Sequence, residues 1–172
     1  MYNSTTARVD KLMRLSVPDK TIEIDKYFES KIGIMFANDG IKERTQYLKI
    51  LKEGLDELAE KTKSKRLRKI ATTEEELEAD KTSLEKYTKQ YNDVAETAKK
   101  QLFERARGIA ANAGGMKYFD LLMDYRNKKT QGDKLAMRYE DAYEIFKGLD
   151  SVLATNLRGA WEIILEIDDS PF

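Results

Sequence analysis

Apolar residues recur along most of this chain at intervals of three and four, the period of an α-helix, so the first expectation is an all-α protein. The pattern is longest between Thr73 and Ala113, where Leu84, Tyr87, Tyr91, Val94, Ala98, Leu102, Ala106, Ile109 and Ala113 follow one another on a single face. Thr73 stands three residues before Glu76, the spacing of a capping box, and Gly114-Gly115 offers a left-handed stop. Charges agree with both ends. Glu74, Glu75, Glu76, Glu78 and Asp80 lie near the positive pole of such a helix, and Lys99, Lys100, Arg105 and Arg107 lie towards its negative pole. At 1.5 Å per residue the segment would be about 60 Å long. A compact globule of this chain length is only about 40 Å across, so the helix is expected to project.

Earlier in the chain, Val9, Leu12 and Met13 predict a short helix within residues 4–15, followed by a break at Ser16-Val17-Pro18-Asp19. Ile24, Phe28, Ile32 and Met35 then repeat helically. Ile22-Glu23-Ile24-Asp25 also alternates like a strand, but the run is short and lacks a partner, so a helix is expected there. Asn38-Asp39-Gly40 predicts a turn. From Ile41, the stripe Leu48, Leu51, Leu55 and Leu58 predicts a second helix reaching about Ile70, with only Ala71 and Thr72 before the capping box. Two residues permit a tight reversal, which predicts an antiparallel, coiled-coil-like hairpin over residues 41–113. Tyr118, Phe119, Leu122 and Tyr125 mark one further helix. Leu135, Tyr139, Ala142, Tyr143 and Phe146 mark another, stopped by Gly148. The last begins near Asp150 and carries Leu153, Leu157, Trp161 and Ile164, widened by Ile163, Leu165 and Ile167. The expected architecture is a single helical domain over residues 1–172. Residues 1–39 and 116–167 form its helical-bundle base, the hairpin protrudes from it, and residues 168–172 form an acidic tail.

Composition narrows the chemistry. An apolar content of 41% in 172 residues suffices for a real core, and 36% charged residues exceeds the usual quarter in the way long solvated helices do. Thirty-one basic residues balance 31 acidic ones, so any attraction to nucleic acid or membrane must be local. The chain has neither cysteine nor histidine, which removes disulfides, thiolate and imidazole metal sites, cysteine nucleophiles and histidine bases together. Carboxylate-only Mg²⁺ or Ca²⁺ sites survive that exclusion. No signal-peptide core and no run of 18 apolar residues is present, so the expectation is a cytoplasmic, unexported protein without membrane contact. Gly114-Gly115-Met116-Lys117 lacks the first glycine and the following Ser/Thr of a phosphate loop, and no serine occupies a nucleophile elbow. No catalytic residue, cofactor or metal is expected.

Four features are candidates for binding. Lys61, Lys63, Lys65, Arg66, Arg68 and Lys69 place six cations in nine residues, enough for sequence-independent contact with phosphates or another acidic partner. If they occupy the last turns of the second helix, they would face the acidic start of the third, and closing the hairpin tip is the favoured role. Tyr87 with Tyr91, and Tyr139 with Tyr143, stand four apart and suit helix–helix packing better than base stacking. Glu140, Glu144, Glu162 and Glu166 have the spacing of bundle metal sites but lack the histidines that normally complete them, so a solvated face is expected. Trp161, Ile164 and Ile167 form an apolar face suited to a core or to a subunit interface, and Phe172 behind its acids has the form of a docking peptide.

These observations lead to a non-catalytic helical structural or assembly protein, a homo-oligomer or a subunit of a larger complex. The narrower form is a virus-particle component such as a head-to-tail adaptor, ring or scaffold protein. The alternatives are a small regulator inhibiting a larger enzyme and nucleic-acid binding through residues 61–69.

Overall fold

The computed structural model describes residues 4–130 and 143–172, which are all-helical with no strand among them. In chain order they form α1 (Ser4–Arg14), α2 (Ile22–Lys52), a 3₁₀ turn (Leu55–Glu57), α3 (Glu60–Asn112), α4 (Met116–Thr130), a second 3₁₀ turn (Tyr143–Phe146) and α5 (Ser151–Asp168). The expected helix through Leu135, Tyr139 and Ala142, with Glu140 and the Tyr139–Tyr143 pair, lies outside the described residues. Two compact units make up the chain. One comprises Met1–Val9, Asp25–Ala95 and Pro171–Phe172, the other Asp10–Ile24 and Glu96–Ser170, and α1, α2 and α3 each give residues to both.

In α1, Val9 and Leu12 are buried, but Met13 is 71% exposed, because one residue beyond Leu12 the helix has already turned by about 100° away from that face. Helix α2 starts later than the break at Pro18 suggests. The Thr21 hydroxyl accepts the Ile24 N–H at 3.1 Å, a side-chain N-cap. Residues 22–25 are therefore helical rather than extended.

Within the first unit, α2 and α3 run antiparallel: Gly33 meets Tyr87, Gly40 meets Asp80, and Lys52 pairs with Glu74. The turn expected at Asn38-Asp39-Gly40 does not occur, since α2 continues through it. Gly40 is there for proximity. A Cβ at that position would stand 2.5 Å from Asp80 Oδ2 and 2.8 Å from Arg44 Nη1, so the residue that suggests a turn instead leaves room for the Arg44–Asp80 pair.

The chain reverses at residues 53–59, not at Ala71-Thr72. Gly54 takes the left-handed conformation at φ +63°, the 3₁₀ turn follows, and Leu58 is extended. Leu55 thus packs from the connection against the cluster of Leu48, Leu51 and Ile70, as Leu77 does from α3, rather than continuing the α2 stripe. Thr73 is consequently no cap. It sits buried inside α3, donating its hydroxyl to the Lys69 carbonyl at 2.7 Å, while Glu76 accepts from Arg44 at 3.1 Å. At its other end α3 closes in a Schellman motif, with Gly115 N–H on the Ala110 carbonyl at 2.7 Å, Gly114 N–H on Ala111 at 3.0 Å, and Gly114 at φ +72°.

In the second unit, α4 packs on α5 and α5 on the second 3₁₀ turn. Gly115 fits against Leu153 and Leu157, and the Phe103 and Phe119 rings meet at 5.9 Å. Asp150 caps α5 by accepting the Leu153 N–H. Ahead of α2, Arg105 donates to the Asp19 carbonyl and the Thr21 hydroxyl to Gln101.

Candidate interaction surfaces

The reversal at residues 53–59 moves the basic run from the end of one helix to the beginning of another. Lys61, Lys63, Lys65, Arg66, Arg68 and Lys69 all lie in the first three turns of α3, on the same helix as Glu74, Glu75, Glu76, Glu78 and Asp80. The two groups therefore follow one another along one axis and do not face across a hairpin tip. That overturns the mutual neutralisation expected from sequence. The acids pair elsewhere: Glu76 and Asp80 with Arg44, at 3.1 and 2.6 Å, and Glu74 with Lys52 at 3.4 Å. The hydrogen bond to Glu76, together with the charges of Asp80 and Glu76, holds Arg44 above its ordinary pKa against the opposing cost of desolvation. Of the six bases only Lys63 has an acidic partner among the described residues, Asp56 at 3.5 Å.

Helical geometry sorts these cations. Residues 63, 66, 70, 73 and 77 are the less exposed positions, and Ile70 and Thr73 are buried. Lys61, Lys65, Arg68 and Thr72, at spacings of four, three and four, form the stripe diametrically opposite Ile70, and all are exposed. From residue 61 to residue 72 there is no carboxylate.

A different surface runs along α2. Phe36, Tyr47 and Ile50 are 51%, 44% and 55% exposed, and their spacing puts them within an arc of about 60° on the helix. Beside Phe36 an open groove of about 500 Å³ is lined by Ile32, Gly33, Ala37 and Tyr87, with Glu29 and Asp80 among its polar residues.

Of the residues expected to form either a core or a subunit interface near the C-terminus, Trp161, Ile164 and Ile167 are buried in the second unit. Phe172 is 64% exposed, with its ring edge-on to Tyr91 of the same chain at 5.4 Å. Tyr91 in turn stacks on Tyr27 at 5.5 Å, so the Tyr87–Tyr91 pair packs against α2. Lys31 was not singled out by sequence. It is fully buried, with Nζ 5.3 Å from the centre of the Tyr27 ring. A lysine flanked by Ser30 and Ile32 carries no local mark of burial, although Tyr27 four residues earlier is the nearest hint.

No known protein family, curated protein or solved structure matches the chain. What it can do must therefore be argued from its surfaces. Among the described residues no three carboxylates gather as a metal site would require. Glu144 pairs with Lys147 at 2.9 Å, and Glu166 is buried while Glu162 is half-exposed. Nor is any described helix long and apolar enough to cross a membrane.

Proposed function

We propose that this chain is a non-catalytic helical assembly subunit, whose paired α2 and α3 helices contact further copies of itself. The observation that carries the reading is the row Phe36, Tyr47 and Ile50, which leaves three large apolar side chains in water on one face of α2. Rows of this kind are what an interface buries, and aromatic side chains supply much of the energy when it does. A second copy is the occupant that a self-assembling structural subunit requires. A component of a virus particle, such as an adaptor, ring or scaffold protein, is the narrower form of this proposal. It is supported by the high charge of the chain and the helical character of its described residues. Native mass spectrometry and analytical ultracentrifugation at increasing concentration test it. An oligomer is expected that dissociates when Phe36, Tyr47 and Ile50 are all changed to serine. A strict monomer at high concentration would overturn the reading.

A further inference from the structure

We infer that the exposed basic stripe of α3 is a sequence-independent binding surface for the phosphate backbone of double-stranded nucleic acid. This inference uses a different face from the assembly proposal and does not rest on it. The stripe consists of Lys61, Lys65 and Arg68, with Lys69 on its flank and Arg66 on the other, less exposed side of the helix, and none of the four stripe and flank side chains is paired with a carboxylate among the described residues. Cations already engaged in ion pairs would have to exchange one partner for another, whereas these exchange only water and counterions. Their spacing is set by a rigid scaffold. At 1.5 Å of rise per residue, Lys61, Lys65 and Arg68 follow one another at intervals of about 6 and 5 Å along the axis, so three charges advance together on one line.

The composition of the stripe selects among anionic partners. Thr62, Ser64 and Thr72, all exposed, add hydroxyl donors beside the cations, and phosphate oxygens accept from such groups. No aromatic residue lies between residues 61 and 72, so the surface lacks the platforms on which proteins stack unpaired bases. That favours a duplex over a single strand. The same stripe has no large apolar side chain to enter a bilayer: Ile70 is buried on the opposite side of the helix, and Leu67, 47% exposed, lies about 120° round the helix from the centre of the stripe. Protein partners are disfavoured as well, since their interfaces centre on buried aromatic and apolar anchors and this stripe has none. A duplex asks only for cations at intervals, and the counterions it releases supply the affinity. No base-reading group is present, so binding should be indifferent to sequence.

The test is fluorescence anisotropy of the full chain with a labelled duplex of about two helical turns, titrated at 50 and 200 mM salt. Four phosphate contacts would give a slope near −3.6 in log K against log salt, hence about a 150-fold weaker association at the higher concentration. The variant Lys61→Gln, Lys65→Gln, Arg68→Gln should lose at least tenfold affinity at 50 mM salt and most of that slope. A control removing equal charge further along the same helix, Lys86→Gln, Lys89→Gln, Lys100→Gln, should keep both. Helicity by circular dichroism is read on each variant, and the exposed positions chosen should leave it unchanged. The inference is overturned if the wild-type chain does not bind at 50 mM salt, or if the two triple variants lose affinity equally. It is equally overturned if vesicles containing anionic lipid, or a single strand of the same length, bind more tightly than the duplex.

Discussion

Gly33 of α2 lies directly beneath the ring of Tyr87 on α3: a Cβ at residue 33 would stand 2.3 Å from Cδ2 and 2.4 Å from Cγ. The clash involves the root of the ring as well as its edge, so turning the ring about its own Cβ–Cγ axis cannot relieve it. Gly33→Ala should gain about 1 kcal/mol of helix propensity. Against this, overpacking costs about 1–3 kcal/mol, and net destabilisation is expected. In a Tyr87→Ala background the obstruction is gone, and the same substitution should stabilise by up to about 1 kcal/mol. Urea denaturation of the four proteins measures this cycle. An equal effect of Gly33→Ala in both backgrounds would show that the two helices do not meet at this point.

Two other helical glycines predict the opposite outcome without any second substitution. Gly108 in α3 and Gly159 in α5 have nothing within 4 Å of the position a Cβ would take. Replacing either with alanine should stabilise the chain by about 0.5–1 kcal/mol through propensity and the reduced freedom of the unfolded state. For a chain of this size, each should raise Tm by about 1–4 °C. A fall in Tm at either position would mean that its surroundings are tighter than the structure shows.

The contrast between these glycines explains how much of the fold could be read from the sequence. Helical class and the stop at Gly114-Gly115 were legible because both are local: a 3.6-residue period needs no partner, and a left-handed glycine after it ends a helix wherever it lies. Position 40 was misleading because Asn-Asp-Gly is turn chemistry by propensity, and only the approach of Asp80, distant in sequence, explains the glycine within a helix. The true reversal was concealed in the reverse way. Gly54 is an ordinary helix stop, but Leu55 and Leu58 continue the apolar spacing across it, because the connection packs a partly buried leucine against the same cluster as α2. The candidate surface suffered from that single displacement. Once the turn is at residues 53–59, the bases and acids are consecutive on α3, and Lys61, Lys65 and Arg68 become a surface rather than one half of a neutralised pair. Phe36, Tyr47 and Ile50 were not singled out because exposure on one face of a helix depends on what packs against the other.

In the second unit Arg126 grips Asp168 with both arms of its guanidinium, Nε at 2.9 Å and Nη2 at 2.8 Å, tying α4 to the end of α5. That hydrogen bonding raises the arginine pKa above its ordinary value despite partial burial. Lysine keeps the charge but cannot reproduce the fork, so Arg126→Lys should cost about 0.5–1 kcal/mol. Lys100→Ala, which breaks only the exposed Lys100–Glu96 pair, should cost nothing measurable. Thermal denaturation of both variants at low and high salt makes the comparison, and equal losses would place the Arg126 interaction among ordinary surface pairs.

Trp161 gives a sharper test of the second unit, because its two parts pull in opposite directions. The ring is buried in α5, yet the indole Nε1 has no hydrogen-bond partner among the described residues. Removing the whole side chain in Trp161→Ala should cost about 3–5 kcal/mol through lost contacts and the space left behind. Trp161→Phe retains most of the ring and deletes the donor. Its loss of volume destabilises, but relief of an unsatisfied buried N–H is worth about 1–3 kcal/mol in the other direction. The two terms nearly cancel, so Trp161→Phe should remain within about 1 kcal/mol of wild type. Equilibrium unfolding followed by far-UV circular dichroism, which does not depend on indole fluorescence, compares the three proteins. A cost above about 2 kcal/mol for Trp161→Phe would show that relief of the unpaired N–H does not offset the lost volume.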